Sequence, residues 1–305
     1  MRVIQIPEKS GERVIALGMF DGVHRGHQSL LQTAKETASD IGVPLRVCTF
    51  NRHPLEILRP EKKPEMLSTI PERAGRMSRL CVDEMELLEF NKNTADMAPE
   101  AFLEKLRNMN DVKAIVAGWN YTFGFKGSGN AELLKEDGAK YGYKVIIVPP
   151  TTMDGGTAIS SSLVRRMLQE GDVEKAADLL GYRYTITGTV SQGKHEGRRI
   201  GFPTANIEPW KRKALPMYGV YTCLLETEQE MLPAVVNIGV QPTIPSGKVT
   251  VEAHALQESP ELYGRKVRLT LLKMMRKEKK FSSPEELKKQ IQMDKEEALR
   301  AFDMA

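Results

Sequence analysis

Cysteine is scarce in this chain. The three present, Cys48, Cys81 and Cys223, are far apart and odd in number. That argues against a disulfide scaffold, and none of the spacings suits a zinc site. No stretch approaches the roughly 20 consecutive apolar residues that a membrane helix needs. Residues 1–17 carry Glu8, Lys9, Glu12 and Arg13 where a secretory signal would place its apolar core. A reduced, cytoplasmic protein with no membrane partner is the expectation. Charge of one sign is lacking too, since 44 Lys and Arg stand against 40 Asp and Glu, a net +4. Such a balance does not mark a dedicated nucleic-acid binder, though it permits local basic pockets for phosphate. There is no internal repeat and no low-complexity tract. Hydrophobic residues at 41% and charged residues at 28% describe an ordinary globular chain, not a disordered one.

What the sequence does contain falls into two rhythms. The 305 residues suffice for two domains. Over residues 1–182, short apolar runs at 14–20, 45–50, 85–90, 113–117 and 144–148 alternate with helical patterns. In 28–41, for instance, Leu30, Leu31, Ala34, Ala38 and Ile41 share one helical face. Strand and helix in alternation predict an α/β domain, a parallel sheet covered by helices. Over residues 183–305 the helical patterns stop. Runs at 184–190, 218–226, 232–237, 249–257 and 266–272 read as strands separated by turn residues, predicting an antiparallel β-barrel or sandwich. One terminal helix closes the chain over 284–302, with Ser283 as N-cap, Pro284 in the first turn and Glu286 completing a capping box. The boundary is expected near 181–185, after a short helix at 173–180.

The first candidate site follows the first long strand. Gly18-Met-Phe20-Asp21-Gly22-Val-His24-Arg-Gly26-His27 runs from a strand end into a helix that should start near His27. Gly18, Gly22 and Gly26 let backbone approach a ligand, and the helix points its free N–H groups at the turn. His24 and His27 flank Gly26 and can donate hydrogen bonds to phosphate oxygens without permanent charge. A tight turn with two surface histidines is the competing reading. Ser160, Ser161 and Arg165 open a later helix, where hydroxyls, N–H groups and a guanidinium could meet the same oxygens; solvated serines at an N-cap would look alike.

A second site lies in the barrel half. The segment 188–206 is dense in glycine and basic residues, among them Gly193, Lys194, Gly197 and Arg198. It suits a loop folding over polyphosphate, or simply a glycine-rich hairpin with a basic tip. Thr204 and Asn206, if extended, point to one face and suit Mg²⁺ shared with nucleotide phosphates.

Together these motifs resemble a known family. Gly18 to Gln28, Ile159 to Arg165, Thr49-Phe50 with His53-Pro54, and Gly118-Trp119-Asn120 to Gly124 are similar to the adenylyltransferase module of bacterial FAD synthetases. Segment 188–206 is similar to the signature of the riboflavin kinase module. So are Asn237-Ile-Gly239, Val251-Glu252-Ala-His254, and Arg276 with Phe281. The resemblance covers nearly the whole chain. It implies a Rossmann-like nucleotidyltransferase domain over 1–182 and a riboflavin kinase barrel over 183–305. It implies ATP as co-substrate, riboflavin, FMN and FAD as substrates or products, and Mg²⁺. It makes Glu252 the base for the riboflavin hydroxyl. It makes His24 and His27 stabilisers of ATP phosphates, aided by Gly18, Phe20, Asp21, Gly22, Gly26, Asn120, Ser160, Ser161 and Arg165. Gly193, Lys194, Gly197 and Arg198 would line the second phosphate site, with Thr204 and Asn206 on the metal. The expected partners are small molecules, with no nucleic acid, on a monomer or weak homo-oligomer. A flavin- or nucleotide-binding regulator without turnover is the alternative from another class.

Overall fold

A computed structural model of the chain describes residues 1–4, 10–153, 155–191, 204–240, 249–257, 262–279 and 281–303. The first sheet is built from β1 (Arg2–Ile4), β2 (Ser10–Leu17), β3 (Leu45–Phe50), β4 (Glu84–Leu88), β5 (Asn110–Gly118) and β6 (Lys144–Val148). Its spatial order is β1-β4-β3-β2-β5-β6, and every pairing is parallel. Helices α1 (Arg25–Ile41), α2 (Leu55–Leu58), α3 (Ile70–Arg79), α4 (Lys92–Ala95), α5 (Pro99–Met109) and α6 (Ala131–Tyr141) lie between the strands.

Successive strand residues feed opposite cores, as a pleated strand requires. Val14 and Ala16 of β2 join Leu31, Ala34 and Ala38 of α1 and Met77 of α3. Ile15 and Leu17 join Phe102, Leu103 and Leu106 of α5 and Leu134 of α6. A sheet covered on both faces needs apolar residues at both parities, and its strands read as continuous apolar runs for that reason. Ile41 departs from expectation: it is 42% exposed and lies off the packed face of α1.

The path from β2 runs outward to β3 and β4, then crosses back to β5 and β6. Strand order therefore reverses between β3 and β5, on either side of β2. Leu17 of β2 pairs with Ala117 of β5, so these two strands end side by side at the reversal. In open parallel sheets ligands bind at this crevice.

After α7 (Ser161–Glu170) and α8 (Val173–Leu180) comes a second sheet: β7 (Thr185–Ser191), β8 (Ala205–Pro209), β9 (Gly219–Glu226), β10 (Met231–Val240), β11 (Val249–Ala255) and β12 (Lys266–Lys277). These close into a barrel ordered β10-β11-β8-β7-β12-β9, every pairing antiparallel. Alternation is plain on β10, where Leu232, Ala234, Val236 and Ile238 are buried and the residues between them are not.

The terminal helix, α9 (Pro284–Asp303), packs on β10. Ser283 caps it, its Oγ accepting the Glu286 N–H at 3.2 Å. The Glu286 carboxylate differs from expectation. It accepts from the N–H and hydroxyl of Ser282 and does not close the box on Ser283. Arg276 of β12 grips Asp294 of α9 with both Nε and Nη2, at 3.0 and 2.7 Å. The motif position Arg276 thus pins the helix to the barrel.

The chain divides into two compact units, Met1–Ser161 and Ser162–Ala305. The two helices ahead of residue 182 side with the barrel, whereas the sequence rhythm groups them with the sheet. The Met217 N–H donates to the Leu168 carbonyl at 2.8 Å. Met274 lies against Gly171, and α8 packs on β12.

Candidate functional site

The turn after β2 is strained and tightly tied. Phe20 takes φ 51°, Gly22 φ 78° and Val23 φ 41°. Glycine suits such a conformation, but a β-branched valine there costs on the order of 1–3 kcal/mol. Asp21 supplies the tie. Its carboxylate accepts from the N–H groups of Leu67 and Ser68 at 3.0 and 3.1 Å and from the Ser68 hydroxyl at 3.1 Å. The Gly22 N–H donates back to Ser68 Oγ at 2.9 Å. Thr69 and Glu72 then form a capping box that fixes the start of α3. The side chain of Phe20 is fully buried and packs over Gly18. As side chains, Phe20 and Asp21 therefore hold the turn in place. The Phe20 side chain is core and the Asp21 carboxylate already accepts three hydrogen bonds.

The helix begins at Arg25, two residues before the expected start, with His24 as its cap. The His27 N–H donates to His24 Nδ1 at 3.3 Å. That bond leaves the His24 proton on Nε2, the nitrogen that can donate outward. The two imidazoles stack with centroids 3.6 Å apart and an 18° tilt. A side chain on Gly26 would come within 3.2 Å of the His24 ring, so glycine makes room for the stack. His27 Nδ1 is buried with no hydrogen-bond partner among the described residues. Burial first, then the neighbouring His24 and Arg73, hold the His27 pKa well below its ordinary value. His27 is a neutral ring at neutral pH.

Arg73 is the residue the motifs did not single out. It lies on α3 and is 1% exposed. Its Nη1 donates to Thr49 Oγ1 at 3.4 Å, and its Nε is buried without a partner among the described residues. Burial lowers its pKa while the Asp21 carboxylate opposes that. A fixed positive charge thus stands close to the histidine turn. The sequence holds a signal for it: Arg73 falls on the inward stripe of α3 between Ile70 and Met77, where a charge calls for a reason.

The other predicted residues of this site are placed as follows. Gly18 directly follows β2 and Asn120 lies in the turn after β5, at the two strand ends that meet at the reversal. The Trp119 N–H donates to the Val148 carbonyl at 3.0 Å, fixing that turn. Ser160 immediately precedes α7, and the Ser161 hydroxyl donates to the Asp21 carbonyl at 2.9 Å, next to the histidines. Arg165 stands four residues along α7, within the second unit.

On the barrel, Gly193, Lys194, Gly197 and Arg198 lie outside the described residues. Glu252 is on β11 between Val251 and Ala253, both buried inward, so it faces outward, half-buried. Asn206 of β8 stands directly opposite it on one side, and Asn237 of β10 directly opposite on the other. Residues so paired have Cβ atoms about 5 Å apart on one face. A carboxylate thus stands between two carboxamides. Ser191 of β7 continues the row beside Asn206. Thr204 directly precedes β8, at the same parity as Asn206. Along β10, a side chain on Gly239 would collide with the Glu278 carboxylate, so this carboxylate lies over the strand where only glycine leaves space. For a metal, Thr204 and Asn206 provide a hydroxyl and a carboxamide, with the Glu252 carboxylate beside them. Among the described residues no three His, Cys, Asp or Glu converge. Such a set fits a hard cation that arrives with phosphate oxygens and does not fit a resident all-protein cage.

Comparison with known proteins agrees with this geometry. The pattern of the FAD synthetase family matches residues 6–163, and that of the riboflavin kinase family matches residues 180–302. The bifunctional riboflavin kinase/FMN adenylyltransferase of Bacillus subtilis (strain 168) is 35% identical over 301 residues, 97% of this chain and 95% of the relative. The protein of that description from Escherichia coli (strain K12) is 35% identical over 293 residues, 95% of this chain and 93% of its own. A crystal structure from Streptococcus pneumoniae, described as a macrolide-efflux protein, superposes with a TM-score of 0.87 at 32% identity. It covers 97% of this chain and 98% of that one. With both halves matched in order and a third of the residues identical over nearly full length, the chain belongs to the bifunctional riboflavin kinase/FMN adenylyltransferase family.

Proposed function

We propose that this chain makes FAD from riboflavin in two steps. The barrel unit transfers the γ-phosphoryl group of ATP to the riboflavin 5′-hydroxyl, giving FMN and ADP. The sheet unit joins FMN to the adenylyl group of a second ATP, giving FAD and pyrophosphate. The observation that carries the reading is Glu252, a carboxylate held mid-strand between Asn206 and Asn237.

In the first step Glu252 accepts the proton of the hydroxyl as its oxygen attacks the γ-phosphorus. Thr204 and Asn206 hold the nucleotide phosphates and the Mg²⁺ that accompanies them; when bound, that ion neutralises phosphate charge. Lys194 and Arg198, with Gly193 and Gly197, extend the same phosphate site.

In the second step an FMN phosphate oxygen attacks the α-phosphorus, and the bond to pyrophosphate breaks. No base is needed, because the nucleophile is already an anion. Negative charge grows on the departing oxygens. His24 Nε2–H, the neutral His27 ring, and the N–H groups at the start of α1 donate to them. Ser160, Ser161 and Arg165 bind the same polyphosphate, and Asn120 binds the nucleotide with them. Gly18, Gly22 and Gly26 let backbone approach the phosphates. Phe20 and Asp21 keep this array in position.

The protein acts on small molecules, in the cytoplasm, as a monomer or weak oligomer, without nucleic acid. The test is product analysis. Purified protein is incubated with riboflavin, ATP and Mg²⁺, and the flavins are separated over time. FMN should appear and then yield to FAD. FMN that accumulates without FAD removes the second activity, and riboflavin that stays unphosphorylated overturns the reading.

A further inference from the structure

The polar row on the barrel has a direction, and its far end is so far without a task. Asn206, Glu252 and Asn237 stand at one level on β8, β11 and β10. Neighbouring strands are about 4.8 Å apart, so each step along the row is a few covalent bonds. If Glu252 takes the proton, the attacking hydroxyl lies at Glu252. If Thr204 and Asn206 hold the phosphates, phosphorus lies on the β8 side of it. In-line transfer aligns the attacking oxygen, phosphorus and the leaving oxygen, so the carbon chain bonded to the attacking oxygen lies away from phosphorus. The side of Glu252 away from Asn206 is the β10 side, where Asn237 stands directly opposite.

Asn237 is what the carbon chain meets there. This side chain is half-buried between the inward Val236 and Ile238. Its carboxamide carries donors and an acceptor, matching a hydroxyl, which is also both. Beyond Asn237 the face turns apolar on β9, where the next residue in the row is the buried Val220. Along β10 it is crossed by the Glu278 carboxylate over Gly239, a further acceptor for hydroxyls.

We propose that Asn237 binds the hydroxyl-bearing chain of the flavin substrate next to the carbon that carries the attacking hydroxyl, and so selects a polyol over a plain alkyl alcohol. The inference rests on the kinase reading above. Asn237 is a substrate-binding residue in it, distinct from the base and from the phosphate ligands.

The test uses the full chain and two flavins: riboflavin, and an analogue whose side chain is a 5-hydroxypentyl group. The analogue keeps the hydroxyl to be phosphorylated and lacks the others. Wild type should prefer riboflavin. Asn237→Ala should lower kcat/KM for riboflavin by roughly three- to tenfold, the worth of a neutral hydrogen bond. It should leave the analogue unchanged, so the preference shrinks by that factor. KM for ATP should not move, and FMN-to-FAD conversion, carried by the other unit, should be retained as the control for folding. Asn237→Ser, which keeps a donor and an acceptor on a shorter stem, should restore part of the preference, and it serves as the test if the alanine variant fails to fold. Equal losses for both flavins, or a rise confined to KM for ATP, overturn the assignment. A wild-type chain that makes FMN while the preference survives Asn237→Ala sinks this inference alone. A wild-type chain that makes no FMN sinks the kinase reading and this inference with it.

Discussion

Asp21→Asn separates a structural tie from a ligand. The carboxylate is 1% exposed. One oxygen accepts from the Leu67 N–H, the other from the N–H and hydroxyl of Ser68. An asparagine fits the same space, but its NH₂ must replace one oxygen. The less costly placement opposes it to the Leu67 N–H, leaving a buried donor unpaired at about 1–3 kcal/mol. The two bonds that survive lose their charge assistance, roughly half their strength. Together the change should cost about 2–4 kcal/mol. The chain offers a clean reporter, because its two tryptophans fall one to each unit, Trp119 in the first and Trp210 in the second. In a Trp210→Phe background, fluorescence follows the first unit alone. With a urea slope near 2 kcal/mol/M, the midpoint should fall by about 1–2 M. FAD formation should fall with it while riboflavin phosphorylation persists. An unchanged midpoint with FAD formation lost would refute the reasoning and make Asp21 a group that touches substrate.

Further expectations concern other residues. Glu252→Gln should abolish FMN formation and spare FMN-to-FAD conversion; loss of both together would remove Glu252 from the role of base. His27 titrates well below 6.5 when folded and near 6.5 when unfolded. The unfolded chain therefore binds more protons between those values. The stability contributed by His27 should be full above about pH 6.5 and drain away as pH falls below it. Midpoints by Trp119 fluorescence at several pH values, flattened in His27→Gln, check this. Native protein should react with a thiol reagent at one site, Cys81, and at three in denaturant. Cys48 is shielded by burial and by the Glu86 carboxylate beside it, both of which push its thiol up, and Cys223 by burial alone. A fragment 162–305 should be better folded than 183–305, by circular dichroism and melting, because the Leu168 carbonyl of α7 accepts from the Met217 N–H and α8 packs on β12.

The sheet was legible where strands are rich in apolar residues. The runs 45–50 and 144–148 coincide with β3 and β6, since each concentrates β-branched and other apolar residues between turn signals. The run 14–20 overshoots β2, which stops at Leu17. Phe20 is as buried as a strand residue, yet its φ of 51° belongs to a turn, and hydrophobicity does not distinguish the two. Arg2–Ile4, a short edge strand, leaves too few residues for any period. β8 was hidden for a related reason, since only Ile207 of its five residues is buried. The boundary near 182 follows a change of rhythm. Yet Val173, Ala176, Leu179 and Leu180 bury an apolar face, and a helical pattern carries no label for the sheet it will cover.

The site was legible as a set of residues and not as a division of labour. His24, Gly26 and His27 announce themselves by spacing. Asp21 sits inside the same motif, and no pattern in the sequence says that its acceptors are spent on Leu67 and Ser68, more than forty residues away. Arg73 is equally remote in sequence from the histidines whose surroundings it charges. On the barrel the decisive relation is register. Asn206, Glu252 and Asn237 are separated by long stretches of chain, and only the pairing of β8, β11 and β10 puts them at one level. A one-residue slip of β11 would turn Glu252 into the barrel and bring Val251 outward. The inward row Val236, Ile238, Val251, Ala253 and Ile207 forbids that slip, because it would bury a charge and expose apolar surface. The core residues thus aim the carboxylate, and the chemistry of the outer face is set by packing on the inner one.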